Sequence, residues 1–478
     1  MAGSVAAAFT LAAAPSVRAQ DLVPAPKLVS TTQAAGFATL AGAVSVSPLH
    51  SLFDMDVLVR EDAPQQTIRG FGGCFNELGW EALLAQAPEA REALLDELFS
   101  PGKGANLSYC RLPIGANDYA RSWYSHDETP GDFAMQHFSI ARDRERILPF
   151  VHAAKARRSD LKLWASPWSP PSWMKRNGHY AMARSPVPSW PDNGLRPDQV
   201  GREGEDMFIL EDAYLEAYAL YFRRFVEAYA AEGLPISAVM PQNEFNSAQP
   251  FPSCCWTPKG LALFIPHLGR QMQSVGVDVV FGTLERGDDR LFEQVYADPA
   301  ARPYIKGIAA QWAGRRAIPF IHHAHPDLKV FQSEQECGDG RNDWRFARFT
   351  FDLMKAFFQS GAEVYDYWNL AAPAGGVSTW GWPQNAFVNV DLKTGQTSIN
   401  PDYHVFKQLS HFVAPGAVRL DTLSINGTEN LLAFKNPDGA LVVALANPGA
   451  KPQTVRIAAK GQVFAAALPA DSISTLVV

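Results

Sequence analysis

The chain has 478 residues, of which 47% are hydrophobic and 19% charged, with a formal net charge of −7. This length is too great for one ordinary compact domain, whereas a (β/α)8 barrel of roughly 250 to 400 residues with a smaller attached unit fits it. The mildly acidic balance offers no basic surface for nucleic acid, and no segment beyond the N-terminus has the roughly 18 uncharged apolar residues of a membrane span. We therefore expect a neutral ligand.

The N-terminal segment, 1–20, is rich in alanine and weakly apolar. Ser16-Val17-Arg18-Ala19-Gln20 has the −3 and −1 pattern of a signal-peptidase site with cleavage after Ala19. We expect export to the periplasm or the extracellular space, with the positively charged start of the signal lying upstream of Met1. A disordered alanine-rich tail is the alternative interpretation.

Strand and helix signals alternate from residue 67 to residue 368 and predict the eight βα units of a (β/α)8 barrel over residues 63–405. After a first strand, a helical stretch over 77–99 is expected to split at Pro88, and a helix over 139–158 begins with Ser139 as its N-cap and kinks at Pro149. The eight strands are predicted at 67–73, 107–113, 161–166, 238–243, 277–284, 305–311, 329–333 and 362–368. A loop rich in proline, glycine and tryptophan, 172–205, has the length typical of a functional wall or lid.

Near both ends of the chain, short strand-like segments with turn residues between them replace this alternation. The turn Asn436-Pro437-Asp438-Gly439 separates two of them. The segments are 37–40, 57–59, 431–434, 441–446, 455–458, 463–468 and 472–478. We therefore predict an antiparallel β-sandwich side domain built from residues 21–62 and 406–478.

Two of the predicted barrel strands run into a glutamate, Glu244 after the fourth strand and Glu334 after the seventh. Parallel barrel strands end at one rim, so these two carboxyl groups can face each other across a substrate. Cleavage of a glycosidic bond needs one carboxylic acid to protonate the leaving oxygen and one carboxylate at the anomeric carbon. The pair predicts a glycosidase, with a carbohydrate or glycoconjugate as its substrate.

Several motifs in this order resemble glycoside hydrolase family 30, the glucosylceramidase-like group, over nearly the whole mature length. The motifs are Phe71-Gly72-Gly73, Arg111-Leu112-Pro113, Asn117-Asp118, Ala165-Ser166-Pro167-Trp168-Ser169-Pro170-Pro171, Gln242-Asn243-Glu244, Ser333-Glu334 and Tyr367-Trp368-Asn369-Leu370. The resemblance implies a retaining β-glycosidase with a (β/α)8 barrel, a side β-domain and no cofactor.

By position, the resemblance implies that Glu244 is the acid/base and Glu334 the nucleophile. Glu336, two residues further on, is a rival nucleophile that lies farther into the loop. Two departures stand out: Phe245 replaces the proline that many members have after the acid/base, and Ala313 replaces a tyrosine after Trp312. The missing tyrosine leaves open what positions the nucleophile.

The resemblance also implies a sugar-binding set. Asn243 is expected at the 2-hydroxyl, and Arg111 either orients a catalytic carboxylate or forms an internal ion pair. The other implied substrate-binding residues are Asp118, Trp168, Trp312, Trp368 and Asn385, with Trp380 and Trp382 towards the aglycone and His179 at the rim. Carboxylates and amides bind pairs of sugar hydroxyls, and indoles cover the apolar face of a sugar ring.

The sugar itself is not decided by these residues. A glucosyl-type terminal unit is favoured, and the alternatives are a β-xylosidase, a β-fucosidase, an endo-β-1,6-glucanase or a carbohydrate-binding relative without activity. The loop 172–205 favours a pocket over an open cleft. No metal is predicted, because His322-His323-Ala324-His325 lacks a nearby carboxylate pattern. The oligomeric state is not predicted.

Overall fold

The computed structural model of the protein describes residues 25–478. The predicted export segment, 1–20, therefore lies outside the described residues. None of the helices in the described part of the chain is both long and apolar enough to cross a membrane.

Four strands precede the barrel and belong to the side domain. They are β1 (Lys27–Thr32), β2 (Ala38–Thr39), β3 (Val44–Pro48) and β4 (Val57–Thr67). Strands near 37–40 and 57–59 were predicted and are present, whereas β1 and β3 were not predicted. β1 pairs antiparallel with the last strand of the chain, with Lys27 opposite Val477. A partner about 450 positions away leaves no local pattern by which β1 could be recognised.

All eight predicted barrel strands form. They are β5 (Gly70–Cys74), β6 (Tyr109–Pro113), β7 (Lys162–Ser166), β8 (Ile236–Val239), β9 (Asp278–Leu284), β10 (Ile305–Gln311), β11 (Lys329–Glu334) and β12 (Ala362–Pro373). Each strand pairs in parallel with its neighbour, and β12 closes the barrel by pairing with both β11 and β5. The predicted fourth strand, 238–243, is wrong at its end: β8 stops at Val239, so the catalytic motif lies in the following turn.

Ten α-helices accompany the strands in the described residues. They are α1 (Glu77–Leu84), α2 (Pro88–Phe99), α3 (Ala141–Arg146), α4 (Leu148–Arg157), α5 (Asp212–Ala231), α6 (Pro258–Ser274), α7 (Arg290–Tyr296), α8 (Ile318–Ala324), α9 (Trp344–Gln359) and α10 (Pro401–Ser410). The predicted split at Pro88 is confirmed. Around Pro149 the chain breaks into α3 and α4 instead of only bending, and Ile140 rather than Ser139 occupies the N-cap position.

Side-chain caps explain where several of these helices begin. The Asn76 side chain accepts a hydrogen bond from the Gly79 N–H at the start of α1, and Thr257 does the same for α6, where Pro258 occupies the first turn. Asp343 accepts from the Phe346 N–H at the start of α9. Such caps satisfy N–H groups that have no partner inside the helix.

Two strands extend the barrel sheet, and six complete the side domain. These are β13 (Ala386–Val390), β14 (Thr397–Ile399), β15 (Val418–Ser424), β16 (Leu431–Lys435), β17 (Leu441–Asn447), β18 (Gln453–Ala459), β19 (Gln462–Leu468) and β20 (Ser472–Val477). The side-domain sheet has the order β2-β1-β20-β17-β16-β15-β4-β18-β19-β3. All of its pairs are antiparallel except β18 with β4. The prediction that both chain ends build one β-domain is confirmed. The predicted limits at 62/63 and 405/406 fall inside β4 and α10.

The barrel interior is filled below the C-terminal rim. A cluster of buried side chains includes Tyr109, Trp164, Met240, Phe331 and Val364. The rings of Tyr109 and Phe331 meet edge to face at 5.7 Å. Packed layers of this kind make a barrel interior a solid core and leave the rim as the place for a site.

Candidate active site

A cavity of about 150 Å³ opens at the C-terminal rim of the barrel. Its walls come from the ends of the strands and the loops that follow them. The residues that line it are Asp118, Trp168, Glu244, Ser247, Gln249, Phe251, Glu285, Arg286, Gln311, Trp312, Glu334, Cys337, Trp382 and Gln384. Both predicted catalytic glutamates line this one cavity, as do the predicted residues Asp118, Trp168, Trp312 and Trp382. Glu336, the rival nucleophile, and Trp380 are not in its lining.

Glu334 is held by two donors, Gln311 from the neighbouring strand β10 and Arg111 from β6 across the barrel. It is the last residue of β11, and its side chain is 10% exposed. The Arg111 guanidinium donates to Oε2 of Glu334 at 2.5 Å, and the Gln311 amide donates to the same oxygen at 3.0 Å. Gln311 was not singled out in the sequence, although it is the last residue of a correctly predicted strand. These two contacts hold the Glu334 carboxyl without a tyrosine at position 313.

Arg111 is fully buried and enclosed by indole rings. Its guanidinium carbon lies 4.3 Å from the ring centroid of Trp168, 4.9 Å from that of Trp164 and 5.5 Å from that of Trp368. Cation–π contacts of this kind stabilise a guanidinium that water cannot reach. The internal ion pair, one of the two interpretations of Arg111, is therefore present with Glu334 as the partner. Orientation of a catalytic carboxylate by Arg111 stays a prediction.

Glu244 sits in a tight turn after β8 with backbone φ of 47°. That left-handed conformation is uncommon for a residue with a side chain, and such strain concentrates at functional sites. The Glu244 N–H donates to Oγ1 of Thr283 at 3.0 Å, and its Oε2 accepts from the Gln249 amide at 3.3 Å. Glu244 thus has one long side-chain hydrogen bond, whereas Glu334 has two shorter ones.

Phe245, which stands where many family members have a proline, packs in the hydrophobic core. Its side chain is fully buried and meets Phe281 with ring centroids 5.3 Å apart, while its backbone carbonyl accepts from the Trp256 N–H at 2.7 Å. The Phe245 ring therefore packs the turn that carries Glu244 against the core.

Asn243 is oriented by three donors to its carbonyl oxygen. Arg111 donates to Oδ1 at 2.7 Å, the Thr283 hydroxyl at 3.1 Å and the Gln311 amide at 3.2 Å. These contacts determine which end of the Asn243 amide is the acceptor. Its amide nitrogen has no hydrogen-bond partner among residues 25–478 and remains available as a donor.

Asp118, in the loop after β6, and Gln384, in the loop after β12, form one polar wall of the cavity. Gln384 donates its amide to Oδ2 of Asp118 at 2.9 Å, while Oδ1 is buried without a partner among the described residues. Burial raises the pKa of Asp118 to about 7 against the effect of the Gln384 hydrogen bond. A carboxyl with one free oxygen, next to the indole of Trp168, is suited to bind a pair of sugar hydroxyls.

Two residues assigned to the sugar from the sequence lie behind the cavity wall. Trp368 is 1% exposed and packs on Trp168, with ring centroids 5.3 Å apart. Asn385 accepts from the backbone N–H groups of Gly340 and Asn342 at 3.0 and 3.2 Å, so its amide holds the loop after β11. In this structure Gln384 faces the cavity and Asn385 does not. His179 stacks on Tyr180 at 4.3 Å in the long loop.

The two glutamates influence each other's ionisation. Burial raises the pKa of Glu334, the Arg111 charge opposes this shift, and the charge of Glu244 adds to it. Burial also raises the pKa of Glu244, opposed by the guanidinium groups of Arg286 and Arg111. In one desolvated cavity, ionisation of one carboxyl group disfavours ionisation of the other. Glu334 and Glu244 therefore retain one proton between them near neutral pH.

A third carboxyl group, Glu285, lines the cavity and was missed in the sequence. It follows β9 directly, is 5% exposed, and has a pKa that burial and then the charge of Glu244 raise to about 8. A glutamate after a predicted strand was the available signal, the same one that identified Glu244 and Glu334.

Possible metal ligands come together away from this cavity. In the described residues, Asp212, Glu216 and His267 have ligand atoms within 4.8 Å of one another on α5 and α6. In the histidine-rich segment, Nε2 of His325 lies 2.9 Å from Oε1 of Glu293. None of these residues lines the cavity.

A closed eight-stranded parallel barrel with paired glutamates among indoles and amides at its C-terminal rim defines a glycoside hydrolase, an enzyme that acts on carbohydrate. The chain belongs to glycosyl hydrolase family 30. The TIM-barrel domain of that family matches residues 68–186 and 195–413, and its β-sandwich domain matches residues 416–476.

Named relatives fall into two groups. Lysosomal acid glucosylceramidase of Mus musculus is 28% identical over 414 residues, which are 80% of this chain and 75% of that protein. An endo-1,6-β-D-glucanase of Aspergillus fumigatus is 25% identical over 432 residues, covering 86% of this chain and 85% of that protein. The crystal structure of SrfJ from Salmonella typhimurium superposes with a TM-score of 0.82 at 22% identity, covering 95% of this chain and 99% of that one. The last comparison shows the shared fold.

Proposed function

We propose that this protein is a retaining β-glycosidase in which Glu334 is the nucleophile and Glu244 the acid/base. The observation that carries the proposal is the unequal hydrogen bonding of the two carboxyl groups. Glu334 receives short hydrogen bonds from Arg111 and Gln311, whereas Glu244 receives one long bond from Gln249. Donors stabilise the ionised form of a carboxyl, so the negative charge resides on Glu334 and the shared proton on Glu244.

This distribution of charge suits double displacement. The Glu334 carboxylate attacks the anomeric carbon while the Glu244 carboxylic acid gives its proton to the departing glycosidic oxygen. The resulting glycosyl-enzyme ester is opened by a water molecule, whose proton returns to Glu244 as the bond to Glu334 breaks. Both carboxyl groups recover their original states, and the sugar leaves with its starting anomeric configuration.

Asn243 and Asp118 support the sugar in this scheme. The free amide nitrogen of Asn243 donates to the 2-hydroxyl, a contact that strengthens as the ring takes on oxocarbenium character. Asp118, with Gln384 behind it, binds hydroxyls at the far side of the ring, and Trp168 and Trp312 cover the ring's apolar face.

A glucosyl-type terminal sugar is the favoured substrate unit. The relatives named glucosylceramidase support a glucosyl unit, and the relatives named endo-1,6-β-D-glucanase support the same unit in a chain. A β-xylosidase or β-fucosidase is the alternative within the same chemistry.

A panel of 4-nitrophenyl β-glycosides tests the proposal. We expect release of nitrophenol from the glucoside, with NMR showing the β-anomer of the free sugar as the first product. An α-anomer as the first product would overturn the retaining mechanism, and a higher rate on the xyloside or fucoside would reassign the sugar.

We also propose that the protein is exported, on the strength of the cleavage pattern that ends at Ala19. Expression in its natural host, followed by N-terminal sequencing of the mature protein, should give Gln20 as the first residue. Retention of the full N-terminus in the cytoplasm would contradict export.

A further inference from the structure

Glu285 and Arg286, which follow β9, are ionisable residues of the cavity that the double-displacement scheme leaves without a role. Oε1 of Glu285 accepts from the Asn246 N–H and from the Ser247 hydroxyl, both at 3.2 Å. Oε2 of Glu285 is buried and has no partner among residues 25–478. A polar atom left without a partner in a binding cavity is costly unless a ligand supplies one.

The position of Glu285 and Arg286 in the barrel places them on the side of the leaving group. Asp118 follows β6 and Glu285 follows β9, so two of the eight strands, β7 and β8, separate the two carboxyl groups around the rim. Glu244 follows β8, between them and next to Glu285. An acid that protonates the glycosidic oxygen stands between the sugar and the leaving group. With the sugar towards Asp118, the leaving group lies towards Glu285 and Arg286.

Glu285 and Arg286 can both donate hydrogen bonds. Burial and the charge of Glu244 raise the pKa of Glu285 to about 8, so its carboxyl is largely neutral at pH 7. Because Oε1 already accepts two hydrogen bonds, the proton belongs on Oε2, which can donate it to a ligand oxygen. The Arg286 side chain is 39% exposed, and its Nη2 binds Glu203 of the long loop at 2.9 Å.

Both polar and apolar side chains surround Glu285 and Arg286. Ser247, Gln249 and Phe251 line the cavity from the loop after β8, and Trp312 lines it from the loop after β10. Aromatic rings can cover the apolar face of a sugar. The carboxyl and guanidinium groups can hydrogen-bond to sugar hydroxyls, whereas an alkyl chain offers them no partner.

We propose that Glu285 and Arg286 form a leaving-group subsite that binds hydroxyl oxygens, and that the natural leaving group is a saccharide and not a lipid. This inference rests on the proposed glycosidase function. Glu285 and Arg286 act as specificity-determining residues, while Glu244 and Glu334 cleave the glycosidic bond.

The test compares two substrates that share one glycone. One is a β-linked disaccharide of the sugar that the panel identifies, and the other is its 4-nitrophenyl glycoside, whose leaving group has no hydroxyls. Glu285→Leu should lower the ratio of kcat/KM for the disaccharide to kcat/KM for the nitrophenyl glycoside about ten-fold, through loss of one to two hydrogen bonds. Glu285→Gln, which keeps a donor and an acceptor, should hold the ratio within about three-fold. Arg286→Ala should lower the ratio in the same direction.

Glu336→Leu is the matched control, because Glu336 is a partly buried carboxyl on the rim that does not line the cavity. It should leave the ratio unchanged. An equal loss on both substrates in Glu285→Leu would overturn the inference, since it would mean that Glu285 only holds the Asn246–Ser247 turn. If Glu285→Leu fails to fold, the ratio in Arg286→Ala decides.

The outcomes separate this inference from the function on which it rests. A wild-type protein that cleaves no β-glycoside would remove the proposed function itself. A wild-type protein that cleaves the nitrophenyl glycoside but prefers a glycosylated lipid in detergent micelles to the disaccharide would overturn the leaving-group inference alone.

Discussion

Nη1 of Arg111 lies 2.5 Å from Oε2 of Glu334, in an ion pair whose two side chains are 1% and 10% exposed. Arg111 comes from β6 and Glu334 from β11, so the contact crosses the barrel mouth. The same guanidinium donates to Asn243 at 2.7 Å and thereby links Glu334 to the residue before Glu244. One buried cation therefore contacts both the Glu334 carboxyl and the turn that carries Glu244.

Removal of that cation should destabilise the protein. Arg111→Met leaves the Glu334 carboxylate buried without its partner, and breaking a buried pair in this way costs about 3 to 5 kcal/mol. Urea denaturation should show this loss in the free energy of unfolding. The double variant Arg111→Met/Glu334→Gln should recover part of it, because no unpaired charge remains. A single variant as stable as the wild type would contradict the account.

Gln311 is expected to position the nucleophile. Gln311→Leu removes a donor to Glu334 and another to Asn243, and the loss of a hydrogen bond to a charged group should lower kcat/KM about 10- to 100-fold. Removal of a donor also raises the pKa of the carboxylate it served, so the acidic limb of the kcat/KM profile should move to higher pH. A lower melting temperature with unchanged kcat/KM and an unmoved profile would leave Gln311 with a structural role only.

Loss of the Asp118 carboxyl should lower kcat/KM by the same factor for every leaving group. Asp118→Ala removes the carboxyl that faces the sugar, and we expect kcat/KM to fall by about the same factor, of order 10 to 100, for a disaccharide and for a nitrophenyl glycoside of the same sugar. This is the opposite of the pattern expected for Glu285. A selective loss on the disaccharide would place Asp118 on the leaving-group side.

Glu285 should also make stability depend on pH. Its pKa is about 8 in the folded protein and about 4.3 in an unfolded chain, so between these values the folded state retains a proton that the unfolded state releases. Stability then falls as pH rises through this window. Glu285→Gln lacks this proton exchange, so its melting temperature relative to the wild type should increase from pH 4.5 to pH 8. A difference that is constant or shrinks with pH would contradict the assignment.

Local pattern was enough to predict the barrel, because each βα unit carries its own signal. The strand predicted at 305–311 corresponds to β10 (Ile305–Gln311) without adjustment. Elements stabilised by distant partners were missed: β1 pairs with β20 at the other end of the chain, and α10 packs against β1, β13 and α9. The end of β8 was misplaced because the apolar run through Met240 continues into a turn whose conformation only the folded barrel imposes.

Site residues could be predicted where they stand in a recognisable sequence motif. They were missed where only the folded barrel brings them to the cavity. Glu244 and Glu334 stand in recognisable motifs, and both line the cavity. Gln311 and Glu285 are single polar residues at strand ends, and only the closed barrel brings them to the nucleophile and to the catalytic turn. Gln384, rather than its predicted neighbour Asn385, faces the cavity because the Asn385 amide is used by the loop after β11.

Azide rescue of the two glutamate variants tests the central claim most directly, with folding of each variant checked by thermal melting. With a 2,4-dinitrophenyl β-glycoside, Glu334→Gly should be inactive until azide is added and should then release the α-glycosyl azide, because azide attacks from the face that the nucleophile has vacated. Glu244→Ala should still form the glycosyl-enzyme and should give the β-glycosyl azide. The reverse pairing of variants and anomers would contradict the assignment of Glu334 as nucleophile and Glu244 as acid/base.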